Sequence, residues 1–387
     1  MTPKTSYPKL AICFVIEYYY PHVGGGEVLF QNLAEGLVKE GHRCDVVTCR
    51  ITGAKGFEVV NGVNIHRVRV PRFADRYWFT LLSIPLTWKI AKRADIIHTM
   101  SYNGAFPAWL IARMRKKPAV ITIHEVLGEK WMELGFNLLA AFLCRLIENT
   151  ILHLPYDGYS CNSKNTMNCL TDWGIDSKKA FLAYSGIDNH LFKRKSDGKA
   201  EEIRRKSGVK DSTFLYFYYG RPGMVKGVEY LVRAVPLIKK EIPDSKLLLI
   251  LSKDPPTKYR GIIHLIRILK LDNVIVQDSV PREMLPYYIQ AADCVVVPSL
   301  NEGFGFTCAE ACAMGKPVVA SNVGSLPEVI SGSYVLAPSR DPEALAAGVV
   351  KIFRGEHETG EQKVFLWKNT VRKHLKAYCE IILKRES

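Results

Sequence analysis

Short apolar runs alternate with amphipathic stretches along most of the chain. Leu10–Ile16 predicts a first strand, and a glycine turn leads into a helical stretch from about Glu27 to Glu40. Cys44–Cys49, Val63–Val70, Asp95–His98 and Ala119–Ile123 predict further strands, with a helix over Gly104–Arg115. Strands that are apolar almost throughout, separated by helices, imply parallel sheets covered on both faces. The pattern restarts at Thr213–Tyr219, with later strands at Lys246–Leu251, Val274–Gln277, Cys294–Pro298 and Pro317–Ala320 and a helix near Gly227–Glu241. The polar segment Lys193–Asp211 between the two series is the expected linker. Val364–Leu383 predicts a long amphipathic helix with Phe365, Trp367, Leu375 and Tyr378 on its apolar side. The expected fold is α/β, with two Rossmann-like domains facing across a cleft. Residues 1–190 and 191–363 form them, and the helix within 364–387 crosses back. Ligands of such sheets bind beyond the carboxyl ends of the strands, which places the expected site in the cleft.

Length and composition agree with this division. The chain has 387 residues, more than one ordinary core holds, and its 48% hydrophobic and 24% charged content is that of globular domains. The formal net charge is +15, and residues 1–190 contribute 22 Lys/Arg against 16 Asp/Glu, so no single tail carries the excess. A basic surface favours anionic partners, and serves equally as a solubility charge. None of the ten cysteines forms a C-x-x-C pair, and several stand inside apolar runs, which argues for buried thiols in a reducing, cytoplasmic setting. Met1–Lys9 shows no leader pattern. The runs Tyr77–Ile90 and Leu134–Leu154 are interrupted by proline or charge and do not predict membrane spans.

The chemistry concentrates in Pro298–Glu310. A buried strand ends at Pro298, a loop with Gly303 and Gly305 follows, and a helix runs to about Gly315. Glycines allow backbone to approach a ligand, and a helix start presents N–H groups and a positive dipole end to a diphosphate. Glu302 and Glu310 stand eight apart, before and inside that helix, and carboxylates accept hydrogen bonds from sugar hydroxyls. Thr307-x-x-Glu310 is equally a capping box, which would explain Glu310 without a ligand. Gly220–Gly227 follows the first strand of the second series and carries Arg221 and Lys226. Two cations across one turn could clamp a diphosphate, or simply be solvated. Pro21–Glu27, with Gly24 and Gly25, follows the opening strand. Its spacing is not G-x-G-x-x-G, so it is no dinucleotide fingerprint. His124 stands at a strand end, where a structural histidine is also common.

The stretch from Glu302 to Glu310 resembles the E-x7-E signature of glycosyltransferase family 4. The resemblance continues through Gly315–Ala320, Val323-Gly324 and Pro327–Ile330, and reaches back to Ala292-Asp293. Ser325 stands where that family commonly has a second glycine. The resemblance implies the GT-B fold and a retaining transfer from a nucleotide-sugar, a UDP-, GDP- or ADP-sugar, without a metal. It implies that Glu302 and His124 hold the transferred sugar and Glu310 the ribose. It assigns Arg221 and Lys226 to the leaving diphosphate, with the backbone at Phe304, Gly305 and Phe306 and the Gly24-Gly25 loop close to the phosphates. The chain has no Asp-x-Asp, the metal motif of the other major glycosyltransferase fold. An epimerase or phosphorylase on the same fold, or a non-catalytic nucleotide-sugar binder, remain the alternatives.

Arg67, Arg69, Arg72, Arg76, Tyr77, Trp78 and Phe79, followed by Trp88, Lys89, Lys92 and Arg93, interleave basic and aromatic residues. Such a patch suits an anionic membrane surface and, on composition, single-stranded nucleic acid. A solvated helix with a buried aromatic face is the third possibility. The expectation is peripheral membrane binding with a lipid-linked or glycan acceptor and no nucleic acid.

Overall fold

The computed structural model describes residues 7–22, 24–134 and 136–386, and it divides into two units. The first comprises residues up to Gly186 together with Leu366 onward, and the second is Ile187–Phe365. Residues 1–6, on which part of the amino-terminal expectation rests, lie outside the described residues.

The first unit holds eight strands: β1 Ala11–Val15, β2 Arg43–Cys49, β3 Phe57–Val60, β4 Val63–Val68, β5 Ile96–Met100, β6 Ala119–Ile123, β7 Gly158–Cys161 and β8 Ala180–Leu182. Their spatial order is β3-β4-β2-β1-β5-β6-β7-β8, parallel except for the β3–β4 hairpin. Its helices are α1 Gly25–Lys39, α2 Asp75–Leu82, α3 Ile84–Ala91, α4 Ala105–Arg115, α5 Leu138–His153 and α6 Lys164–Asp172. Alternate side chains of β1 serve opposite faces, as strand geometry dictates. Ile12, Phe14 and Ile16 meet Leu29, Phe30 and Leu33 of α1, whereas Cys13 and Val15 lie in the core that contains Phe79, Ala91, Ile111, Leu152 and Leu170. Helices α2 to α6 thus form one layer, and α1 lies on the other.

The second unit holds β9 Phe214–Gly220, β10 Ser245–Leu251, β11 Val274–Asp278, β12 Cys294–Val297, β13 Val318–Ser321, β14 Gly332–Ala337 and β15 Glu358–Gly360. The order is β11-β10-β9-β12-β13-β14-β15, parallel except for β15. Its helices are α7 Lys199–Lys206, α8 Val228–Glu241, α9 Pro256–Ile268, α10 Leu285–Ala291, α11 Phe306–Ala313, α12 Leu326–Val329 and α13 Pro342–Arg354. The segment expected as a linker contains α7. Ala200 and Ile203 of that helix pack on Ala291, and the Arg204 guanidinium donates to the carbonyls of Ala291 and Thr213 and to Asp293. A polar composition there reflects a helix with a narrow apolar stripe rather than a free connection.

Helix α14, Trp367–Glu386, belongs to the first unit and packs beside α1. Gly36 of α1 permits this, because a Cβ there would collide with the Val371 side chain. Behind α14 lies a buried polar network. The Tyr378 hydroxyl and His98 Nδ1 are 2.6 Å apart, and His98 Nε2 is 2.8 Å from the Thr122 hydroxyl. His374 Nδ1 is 2.8 Å from the Thr370 carbonyl, which can only accept, so Nδ1 carries the proton and Nε2 accepts from Ser160 at 2.9 Å. All ten cysteines carry free thiols.

Candidate functional site

In the second sheet the chain leaves β9 toward β10 on one side, while β12 lies on the other. The loops after β9 and β12 therefore flank the point where strand order reverses, where open α/β sheets form their ligand crevice. The two loops are tied together. Gly227, at φ +60, caps α8, and any Cβ there would run into the Pro298 carbonyl oxygen. Leu300 N donates to Val225 O at 2.7 Å.

This lock brings Lys226 and Glu302 into contact. Lys226 Nζ lies 2.7 Å from Glu302 Oε1, which also accepts from the Ser299 hydroxyl at 2.8 Å. The Glu302 carbonyl accepts from Ser325 N and Oγ at 3.0 and 3.2 Å. Ser325 has φ −83, an ordinary conformation for any residue, so its presence in place of a glycine strains nothing. The half-buried Arg221 makes no side-chain ion pair among the described residues, and its guanidinium is available to an anion.

Helix α11 begins at Phe306 with Gly305 as its N-cap, and no side chain caps it. Thr307 thus stands inside the helix, and the capping box is not formed. Glu310 is instead 2% exposed, and its two oxygens accept from the Tyr219 hydroxyl at 2.8 Å and from Arg282 Nη2 at 2.6 Å. Burial pushes its carboxyl pKa up, against the pull of Arg282 and Tyr219. Phe304 is buried and packs edge-on against Phe306 and Phe365, which holds the loop before the helix. Lys226, Glu302, Glu310 and the Phe304–Phe306 turn thus stand on two tied loops and the helix that follows, with Arg221 on the first of those loops. Tyr219, Ser299 and Arg282 complete the group. Nothing in the sequence marked Arg282, which stands 28 positions before its partner.

Removing one partner of a buried ion pair strands the other charge. Arg282 is partly exposed, so Arg282→Ala is expected to destabilise the second unit by about 2 kcal/mol, below the full buried-pair cost. Calorimetry should show the loss, and Glu310→Gln in the same chain should return at least half of it. An unchanged transition in Arg282→Ala would mean that the pair carries no stability.

In the first unit the order reverses between β1 and β5, and the loops there are built differently. Gly24 is the N-cap of α1, followed by Gly25 and Gly26; Val23 lies outside the described residues. A Cβ at Gly26 would approach His124 Nε2 to 3.1 Å and Met100 Cε to 2.9 Å. Glycine there lets the imidazole at the end of β6 reach the start of α1. His124 Nε2 is buried and has no hydrogen-bond partner among the described residues. Burial lowers its pKa to about 4, with Glu27 opposing, so the ring is neutral at neutral pH. Glu17 shares this edge unannounced by any motif. It is buried and accepts from Asn103 N at 3.0 Å, and burial raises its carboxyl pKa.

The basic and aromatic patch needs correction. Arg67 is interior: its guanidinium donates to the carbonyls of Tyr20 and Lys55 and pairs with Glu58. Phe79 is buried in the core. Arg69, Arg72, Tyr77, Trp78, Trp88, Lys89, Lys92 and Arg93 remain exposed. Among the described residues no helix is long and apolar enough to cross a membrane.

Two family models match the chain: "Glycosyltransferase Family 4" over residues 23–191 and "Glycosyl transferases group 1" over residues 199–364. An uncharacterised glycosyltransferase of Methanocaldococcus jannaschii is 28% identical over 362 residues, covering 89% of each chain. The D-inositol 3-phosphate glycosyltransferase of Corynebacterium kroppenstedtii is 30% identical over 311 residues, covering 75% of this chain and 68% of that one. Among solved structures, Anabaena HepE in complex with UDP-glucose superposes with a TM-score of 0.71 at 16% identity, covering 97% and 98% of the two chains. The two parallel-sheet domains have the GT-B fold, and the chain belongs to the family 4 glycosyltransferases.

Proposed function

We propose that this glycosyltransferase moves a sugar from a nucleoside-diphosphate-sugar to an acceptor hydroxyl with retention at the anomeric carbon. The observation that carries the reading is the group at the switch point of the second sheet. Two cations, two carboxylates and a helix start without a side-chain cap lie on the loops and helix there, a set of groups suited to a nucleoside diphosphate. The UDP-glucose complex of HepE supports the donor class.

In this reading Arg221, Lys226 and the turn at Phe304, Gly305 and Phe306 hold the diphosphate. Glu310, steadied by Arg282 and Tyr219, accepts from the ribose hydroxyls through its remaining lone pairs. Glu302 fixes sugar hydroxyls; in the first unit, neutral His124 and the Gly24-Gly25 turn are the groups that the family resemblance assigns to the donor. The acceptor hydroxyl attacks the anomeric carbon from the face that the phosphate leaves. The carbon–oxygen bond to phosphate breaks, the new glycosidic bond forms, and the acceptor proton passes to the departing phosphate oxygen. The two cations carry the charge that builds on that phosphate, the kind of fixed electrostatic support that lowers a barrier most. No metal is assigned to this step. The acceptor is a lipid-linked or glycan hydroxyl, or an inositol phosphate of the kind named for the corynebacterial relative.

A thermal-shift screen against UDP-, GDP- and ADP-sugars tests the donor class. A donor present at about 100 times its Kd should stabilise its unit by roughly 2.7 kcal/mol. No shift with any of them would remove the proposed donor. Release of free nucleoside diphosphate together with a new glycoside of unchanged anomeric configuration distinguishes transfer from epimerisation, phosphorolysis and binding alone.

A further inference from the structure

We infer that the outer face of α5 is a membrane-docking surface that lies on an anionic lipid bilayer. Leu138, Leu139, Phe142, Leu143, Leu146 and Ile147 are all exposed, at 74, 69, 55, 46, 49 and 54%. Their spacing places them on one side of the helix, in a continuous apolar stripe about 14 Å long. Contiguous apolar surface of this kind marks an interaction site. Its setting is unusual for the molecule. Among the described residues, sixteen of the twenty-four exposed large hydrophobic side chains fall between Phe73 and Ile147, and only four belong to the second unit.

The helix cannot roll to hide this face. Its inner side is anchored by buried Ala141 and Leu152. The Glu148 carboxylate accepts from Leu127 N, Gly128 N and Trp131 Nε1 at 2.9, 2.8 and 3.0 Å. Burial of one side and three hydrogen bonds at one carboxylate fix the helix with its apolar stripe toward solvent.

Charge identifies the occupant. Helices α2 to α5 lie in one layer. Segments 69–93 and 105–117 carry ten Lys/Arg against one Asp/Glu, whereas 125–154 carries two against four, so the positive excess of the layer belongs to α2, α3 and α4. Exposed Arg69, Arg72, Lys89, Lys92 and Arg93 stand with Tyr77, Trp78 and Trp88, residues suited to the headgroup region. A second copy of the chain would bring the same positive layer against itself, which like-charge repulsion opposes. An anionic bilayer takes both features, with the apolar stripe at the acyl boundary and the cations among headgroups. The topology adds a reason for the position. Glu148 of α5 accepts from Leu127 N and Gly128 N, just beyond His124, so the carboxyl-terminal half of α5 stands beside the sheet edge that ends in His124. A bilayer on α5 would present a lipid-borne hydroxyl at that edge.

This inference goes beyond the transfer reaction, and flotation is read without turnover, so its failure would leave the donor reading untouched. The probe is a phosphatidylcholine vesicle with or without about 30% phosphatidylglycerol. The protein should float with anionic vesicles at about 0.1 M salt and severalfold less at about 0.5 M. Leu139→Ser/Leu143→Ser/Leu146→Ser should weaken partitioning by about tenfold or more. Arg69→Glu/Lys92→Glu should weaken it only on anionic vesicles. If the triple variant does not fold, Leu143→Ser and the salt dependence of the parent protein carry the test. Equal partitioning onto neutral and anionic vesicles, or unchanged binding by the apolar variant, would overturn the inference. So would a dimer in solution that the triple variant converts to monomer while neither protein binds vesicles; that result assigns the face to a second copy.

Discussion

Lys226→Ala is expected to lower sugar transfer by about 10²- to 10³-fold while shifting stability by no more than about 1 kcal/mol. The two magnitudes separate because the Lys226–Glu302 pair has different work in the resting and reacting protein. At rest it is a partly exposed ion pair at 2.7 Å, and such pairs contribute little to folding. In the proposed transfer, charge collects on the departing phosphate in the transition state, and a fixed cation there acts where the barrier is decided. Glu302 holds the ammonium in place beforehand, so the cation need not be ordered during the reaction. Glu302→Gln should therefore also lower transfer strongly, through the sugar and through a less ordered Lys226. Because the two side chains touch, the double variant should fall by less than the product of the single effects. Steady-state turnover and donor hydrolysis of the three variants check this. Wild-type turnover in either single variant would remove these residues from the reaction.

Acid should loosen the first unit well before carboxylate chemistry does. Burial lowers the pKa of His124 and of His374 to about 4, and that of His98 well below its ordinary value. In the unfolded chain these rings take up protons near pH 6.5. Between about pH 6.5 and 4 the unfolded state therefore binds protons that the folded state refuses, and stability falls as pH falls. A shift from 6.5 to about 4 corresponds to roughly 3 kcal/mol for each of His124 and His374. Glu17 acts in the opposite direction, since its raised pKa lets the folded state gain a proton first, but it is one group against three. All six tryptophans, at 78, 88, 109, 131, 173 and 367, belong to the first unit, so their fluorescence follows its unfolding alone. Urea midpoints at pH 7, 6, 5 and 4 should fall steadily. His374→Leu should flatten the slope by close to one proton; the same slope as the parent protein would show that His374 does not carry it.

The strands that form the centre of each sheet were legible because parallel strands buried on both faces are mostly apolar. β1, β2, β5, β6, β9, β10 and β12 all have that character. β3 and β15 are short, largely exposed edge strands of four and three residues, and β7 reads Gly-Tyr-Ser-Cys, so periodicity did not mark them. The cations and carboxylates of the loops after β9 and β12 were visible as a motif. Their partners were not, because Tyr219, Arg282 and Glu310 meet through tertiary packing across distant positions. Arg67 and Phe79 show the converse error. A run of basic and aromatic residues looks like one surface in sequence, yet helix phase and the β3–β4 hairpin send those two inward. The α5 stripe was hidden for a similar reason. In sequence, the run Leu134–Leu154 with Arg145 and Glu148 says only that it does not predict a membrane span, and only the fold shows that Glu148 turns inward while the leucines face out.

Helix α14 makes the first unit discontinuous in sequence, with the whole second unit inserted between its parts. During vectorial synthesis the second unit is complete once Phe365 has been made, whereas the first still lacks the surface that covers Phe14 and His98. The unit made first is thus the one finished last. A nascent chain halted near residue 365 would display an open apolar sheet face, and holdase chaperones should retain it longer than a chain extended through Tyr378.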